Sequence, residues 1–344
     1  MKNYHPIKEL WLTRMRTFYR EPEAIFWTYV FPILLTIGLG IAFRNRPQET
    51  IVVDVEASPT AAAVKNTLDA LDTFDAHINT ASKCAERLRL GKTDIVVKPG
   101  DKYEYRYDPS RPESAMARAA LDDALQRAGG RDDVLDVADR HVTEPGARYI
   151  DFLVPGLLGM NLMGGGLWGV GFVITDMRVK KLLRRLIATP MRRSHFLLSL
   201  VGGRMVFTIP EVFMLLGAGW LLFGMHIAGS LISIIIVALV GALSFAGIGL
   251  LVACRAQRLE TISGLANLVM LPMWLFSGIF FSYERFPDTF QPFIQFLPLT
   301  HLIDALRAVV LEGAAITDQG IHMLVLLLWG LLSFAIALRW FRWT

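Results

Sequence analysis

The chain has little of what catalytic chemistry usually needs. Only two cysteines, Cys84 and Cys254, stand among 344 residues. One lies in a polar stretch and the other at the end of an apolar run, which argues against a disulfide framework, and no C-x-x-C pair exists. The seven histidines are scattered, none four residues from another, and there is no H-E-x-x-H for zinc. A G-x-S-x-G nucleophile turn is missing too, as is a G-x-x-x-x-G-K-[ST] phosphate loop, so the chain does not hydrolyse ATP by that route. No catalytic residue, metal ligand set or bound cofactor is read from it. Any work done on a substrate draws its energy from elsewhere. Charge is also scarce, at 19% against the roughly 25% of soluble domains.

Apolar residues fill that space. They make up 53% of the chain, with a mean hydropathy of +0.42. Crossing a bilayer takes about twenty apolar residues, and six runs reach that length: 24–43, 152–175, 205–225, 227–254, 261–283 and 320–338. A net charge of +4 would suit a nucleic-acid partner. Most cations outside the long central segment flank apolar runs, however, which points to anionic lipid headgroups and away from nucleic acid. Short flanks rich in Lys and Arg stay cytoplasmic. Lys2, Lys8, Arg14, Arg16 and Arg20 precede the first run, and Arg339 and Arg342 follow the last. Six spans with both termini inside follow.

The expected fold class is an α-helical polytopic membrane protein. It has six transmembrane helices, re-entrant helices, and a small α/β extracytoplasmic domain between helices 1 and 2. Residues 1–22 read as an interfacial amphipathic helix with Ile7, Leu10, Trp11, Met15, Phe18 and Tyr19 at helical spacing; Lys8, Arg14, Arg16 and Arg20 take much of the remaining surface. Helix 1 occupies 23–43. The outer domain occupies 44–149, its cations and acids nearly balanced. Within it, 50–56 and 93–98 read as buried strands and 102–108 as a half-exposed one. Residues 58–71 read as a helix capped by Ser58 with Pro59 just inside, and 112–130 as a helix ending at Gly129. Residues 131–148 form a charged linker. The membrane domain fills 150–344.

Four features carry functional expectations. The second run holds Gly156, Gly159, Gly164, Gly165, Gly166, Gly169 and Gly171; close packing through the Gly165–Gly169 pair is favoured over a moving element. Asn161, Glu211 and Asn267 are polar positions inside spans and candidates for a translocation path. For Asn161 an interhelical hydrogen bond is equally plausible, and for Glu211 a pairing with Arg204 two turns away. Segment 284–318 contains an apolar stretch too short to cross, broken by Pro292 and Pro298, and reads as re-entrant. There Thr300 caps a helix that puts His301, Asp304 and Arg307 on one face, either lining an exit or tying the helix together.

The fourth feature is the loop 176–198. Its stretch RVKKLLRRLIATPMRRSHF carries seven cations and no acid. Leu182, Leu183, Leu186 and Ile187 give a short helix one apolar face, and Pro190 stops it. Lipid attraction explains some of the charge. An amphipathic helix bracketed by turns suits insertion into a groove on a partner protein.

The runs FLVPGLLGMNLMGGGLWGVGFVITDMRVKKLLRRLIATPMRRSHFLLSL and LPMWLFSGIFFSYERFPDTFQPFIQFLPLTHLIDALRAVVLEGA resemble the membrane permeases of ABC-2 type exporters. The resemblance covers essentially the whole chain. It implies a half-transporter that pairs with a second permease copy or a homologue in the bacterial inner membrane, served by two ABC ATPase subunits that hold ATP and Mg. It also implies that the basic loop is a coupling helix in the ATPase groove, carried by Arg178, Lys180, Lys181, Leu183, Arg184, Arg185, Ile187, Arg192 and Arg193. The large outer domain departs from the minimal family pattern and is found in a drug-export subgroup. The alternative reading is a membrane-anchored sensor or assembly factor whose outer domain binds a ligand.

Overall fold

The computed structural model describes residues 6–44, 50–100, 102–132, 148–188 and 193–341. Most of the 131–148 linker and Arg192 lie outside the described residues, as do the side chains of Ile187 and Arg193. The chain divides into two compact units, one made of Met1–Arg44 with Thr143–Thr344, the other of Asn45–Val142.

The smaller unit is a four-stranded sheet with helices on both faces. Its strands are β1 (Ile51–Glu56), β2 (Phe74–Asn79), β3 (Ile95–Lys98) and β4 (Glu104–Arg106), in the order β2-β1-β3-β4. β1 runs parallel to both neighbours, with Val53 opposite Ala76 on one side and Ile95 on the other; β4 is antiparallel to β3. The path steps one way from β1 to β2 and back across to β3. Right-handed crossovers therefore place the two connecting helices on opposite faces. Helix Ala61–Asp69, joined by Pro112–Ala128, covers the apolar face, where Val53, Val55, Ile95 and Val97 meet Leu68 and Leu121. Helix Ala81–Arg89 covers the other. There the fully buried Asp54 carboxylate accepts from Arg87 Nε at 2.8 Å and Asn79 Nδ2 at 3.1 Å. β2 and helix Ala81–Arg89 were not read from the sequence. The first helix also starts later than expected: Thr60, not Ser58, is its cap residue, and no side-chain cap bond forms.

Among the described residues, the larger unit holds six helices long and apolar enough to cross a membrane: Pro22–Phe43, Tyr149–Val179, His195–Phe223, Leu231–Ala253, Leu259–Phe276 and Ile316–Trp340. Before them, helix Pro6–Arg20 packs along the third span. The second and fourth spans form the centre. Leu153, Leu157, Leu158, Leu162 and Met163 of the second are fully buried, as are Val237, Ala242 and Phe245 of the fourth. Lipid tails are as apolar as leucine, so helices associate here through close packing rather than through exclusion of water. The glycines supply it. A Cβ on Gly171 would lie 2.8 Å from the Gly249 carbonyl oxygen, one on Gly247 2.7 Å from that of Gly330, and one on Gly156 2.7 Å from that of Ile279.

The close packing expected of Gly165 and Gly169 is made by other glycines of the same span. Gly165 instead leaves room for the Arg204 guanidinium, and Gly169 has ordinary space around it. The fifth span also ends earlier than expected. It stops at Phe276, because Ser277 leads into Gly278 at φ +77°, a left-handed turn that glycine adopts without cost. The residues up to Tyr283 are irregular.

Segment 284–318 contains a bent helix pair. Asp288–Phe296 and Pro298–Leu311 meet at 87°, and the break falls at Leu297, the residue before a proline, where helical backbone is disfavoured. Leu297, not Thr300, is the cap residue of the second helix. Thr300 lies one turn inside and its hydroxyl donates to the Ile294 carbonyl at 2.9 Å, bracing the bend.

Candidate functional site: the basic loop and the buried charges

The second span runs out at Val179. Lys180 closes its last turn, and Lys181 takes a left-handed conformation at φ 58°, which costs a non-glycine residue about 1 kcal/mol. The chain then re-forms as the short helix Leu182–Ile187. Leu183 of its apolar face is turned into its own chain, with Leu182 and Leu186 half-buried. Leu183 is 1% exposed and packs with Val170, Ile174, Phe196 and Leu200, so it is not the anchor for a partner's groove that the sequence suggested. Lys180, Lys181, Arg184 and Arg185 are exposed. Lys180 is held by Asp176 at 2.8 Å, which raises its pKa.

Arg178 belongs to the interior of this region. Its guanidinium donates to the carbonyls of Ala253 at 2.9 Å, Cys254 at 3.2 Å and Ala256, and it lies 5.4 Å from the Phe341 ring centre. Carbonyls at the end of a helix lack intrahelical donors. Arg178 therefore clamps the end of the fourth span to the start of the loop.

A second group of charges lies deep in the bundle. Glu211 and Arg204, 1% and 4% exposed, form a bidentate pair on the third span. The carboxylate is thus taken by the partner weighed for it in the sequence. Arg14 of the N-terminal helix joins them by donating to the Gly169 carbonyl. Arg14 was expected on the polar surface of that helix. It is three residues from Trp11 and four from Phe18, so it sits on the face they share, and Phe18 packs on Phe207 with ring centres 4.1 Å apart. That spacing was the available signal.

Gly169 lies in a π-helical segment, Leu167–Phe172, and the first span contains another, Phe26–Val30. Widened turns of this kind loosen the backbone ladder. Both offer a carbonyl to a side chain from elsewhere: Gly169 to Arg14, and Thr28 to Asn161 Nδ2 at 3.0 Å. Asn161 thus joins the first two spans. Asn267 is brought to neither Asn161 nor Glu211. It is exposed on the fifth span beside Leu268 and Leu271, themselves 69% and 56% exposed.

His301, Asp304 and Arg307 share one helix but do not bond to one another. Asp304 accepts from the Tyr283 hydroxyl at 3.1 Å. Arg307 donates to the carbonyls of Phe152, at 3.2 Å, and Gly278, and stacks 3.5 Å above the Phe152 ring centre. His301 meets His322 of the sixth span, Nδ1 to Nδ1 at 2.9 Å. The trio ties the bent helix outward to three neighbours.

Among the described residues no group of three or more His, Cys, Asp or Glu is placed to hold a metal ion. In the smaller unit, a cavity of about 340 Å³ opens between helix Ala81–Arg89 and β3–β4. Two of its arginines are already paired: Arg106 with Glu56 at 3.2 Å and Glu104 at 3.0 Å, and Arg111 with Asp108 at 3.4 Å.

Comparison with known proteins agrees with this architecture. Nodulation protein J of Bradyrhizobium diazoefficiens is 33% identical over 106 residues, 31% of this chain and 40% of that protein. Nodulation protein J of Rhizobium leguminosarum bv. viciae is 31% identical over 112 residues, 33% of this chain and 42% of that protein. ABC transporter G family member 20 of Dictyostelium discoideum is 26% identical over 189 residues, 54% of this chain and 26% of that protein. The chain thus spans less than half the length of the curated relatives it matches. The model of the ABC-2 family transporter proteins matches residues 22–339, from the first span to the end of the sixth, and the chain belongs to that family.

Proposed function

We propose that the chain is the permease subunit of an ATP-driven exporter in the bacterial inner membrane, with both termini cytoplasmic. It pairs with a second permease copy or a homologue and is moved by two separate ABC ATPase subunits that bind ATP and Mg. The observation that carries this reading is the loop helix Leu182–Ile187. Its Leu183 is buried in its own chain while Arg184 and Arg185 stand exposed beside Lys180 and Lys181. A rigidly seated helix with a free cationic face transmits a push from a partner to the second span, from which it continues after one turn.

The coupling contact is therefore polar, made by Arg184 and Arg185. Burial of Leu183 puts the load on the bundle rather than on the partner. Replacing both arginines by glutamate should abolish co-purification of the ATPase while the permease still folds. Unchanged co-purification with intact transport overturns the assignment. Drug export enters only through the resemblance to a drug-export subgroup with a large outer domain, and stimulation of ATPase activity in the reconstituted complex by lipophilic drugs, against lipids and glycans, tests it.

A further inference from the structure

The bent helix pair and the sixth span are joined by a bond whose geometry depends on protons. His301, one turn into Pro298–Leu311, and His322, in the first turn of Gly320–Trp340, approach Nδ1 to Nδ1 at 2.9 Å, with ring centres 5.1 Å apart. The other nitrogen of His301, Nε2, lies 2.6 Å from the Gln295 carbonyl. A carbonyl only accepts, so Nε2 carries a hydrogen. In the neutral pair, Nδ1 of His301 is then bare, and His322 must donate its own Nδ1–H to it. One added proton goes to the bare Nε2 of His322 and strengthens the bond, because its Nδ1–H donor then belongs to an imidazolium and the bond is charge-assisted. A second added proton leaves two N–H groups pointed at each other, and no bond remains.

We propose that His301 and His322 form a proton-operated link between the bent helix pair and the sixth span. It is closed while the two rings together hold two or three N–H protons and open when they hold four. Histidine is the side chain whose ordinary titration falls in the physiological range. Closure thus persists at neutral pH and is lost as pH falls, because the open form binds one proton more.

The charges around the pair are engaged elsewhere. Asp304 is bonded to Tyr283, and Arg307 to the carbonyls of Phe152 and Gly278. The second span brings Asp151, bonded to Arg148. Helix Gln291–Phe296 and the fourth span contain no ionisable residue, and the fifth has only Glu260 in its first turn. Glu284 and Arg285 belong to the Tyr283 turn, and Asp318 to the turn before the sixth span. Between His322 and Arg339 the sixth span has no other ionisable group. A second bond between the same parts, Trp329 Nε1 to the Phe296 carbonyl at 3.1 Å, does not titrate. Acid therefore frees the pair at one point and leaves it hinged at the other.

Hydrogen–deuterium exchange of the full chain in lipid nanodiscs at pH 7.5 and pH 5, corrected for the intrinsic rate, reads this directly. Protection of residues 298–304 and 320–326 should fall about tenfold in the wild type at the lower pH, the worth of one hydrogen bond, while residues around Phe296 stay unchanged. His322→Asn keeps a neutral donor and acceptor at the Nδ1 position, and should hold protection high at both values. His322→Ala should give low protection at both. Wild-type protection that does not change with pH overturns the proposal, and so does a pH dependence that survives in His322→Asn.

Discussion

Arg204 and Glu211 face each other from positions seven residues apart on one helix, with Arg204 Nη2 2.8 Å from Glu211 Oε2 and Nη1 on Oε1. Two helical turns put both side chains on one side of the third span. That side meets Gly165, where a Cβ would occupy the space of the guanidinium. The glycine of one span is thus the socket for an arginine of another. Arg14 adds a second cation beside the pair and is anchored on the Gly169 carbonyl.

Glu211→Gln should therefore cost stability first. Removing one partner of a buried ion pair leaves an uncompensated charge and typically costs about 3–5 kcal/mol, here with two arginines to hold apart. Thermal denaturation in detergent should show a clear fall. Arg204→Met combined with Glu211→Leu should recover most of it, since an apolar pair of similar volume carries no unpaired charge. If Glu211→Gln keeps full stability and loses transport, the carboxylate lines a route instead.

Two glycine substitutions should act in opposite directions. At Gly171 a new Cβ would meet the backbone of Gly249, which cannot yield without parting the second and fourth spans. Gly171→Ala is expected to destabilise by about 1–3 kcal/mol. Nothing lies within 4 Å of a Cβ at Gly202. Gly202→Ala should be neutral or stabilising by up to about 1 kcal/mol, from better helix propensity. Melting temperatures of the two variants side by side check the packing between the spans.

Much of this architecture was legible because the bilayer imposes a length on apolar runs, and a run such as 24–43 has no other way to bury itself. The bend at Leu297 was announced by Pro298, and the helix end at Gly129 by its glycine. What stayed hidden depends on what lies opposite. Arg14 reads as a surface cation until the second span presents a carbonyl to it. Leu183 reads as a partner's anchor until Val170 and Phe196 are seen around it. Gly165 reads as half of a helix-packing pair until Arg204 fills the space. β2, FDAHIN, buries only Phe74 and Ala76, too weak an alternation to register.

In the smaller unit, the sheet is pinned on its polar face by Asp54. Asp54→Ala removes the acceptor of Arg87 and Asn79 together. A loss of about 2–4 kcal/mol is expected, from the two unpaired donors beside β1. Limited proteolysis should then cut within 51–98 at a protease level that leaves the wild type whole. Cleavage no faster than in the wild type would mean that the helix–strand packing on the opposite face holds the sheet alone.

Arg178 separates the internal and external halves of the basic loop. Its planar fork reaches carbonyls of Ala253, Cys254 and Ala256 while lying against Phe341. Lysine is a point charge on a flexible stem and cannot reproduce both contacts. Arg178→Lys should therefore lower thermal stability by about 1–3 kcal/mol, and whatever permease remains folded should still co-purify with the proposed ATPase partner. Arg184→Glu with Arg185→Glu should do the reverse, keeping the melting temperature and losing the partner. Measuring both quantities on both proteins distinguishes a clamp from a contact. If Arg178→Lys loses the ATPase at full stability, the clamp itself faces the partner, and the push enters the bundle through the end of the fourth span rather than through the second.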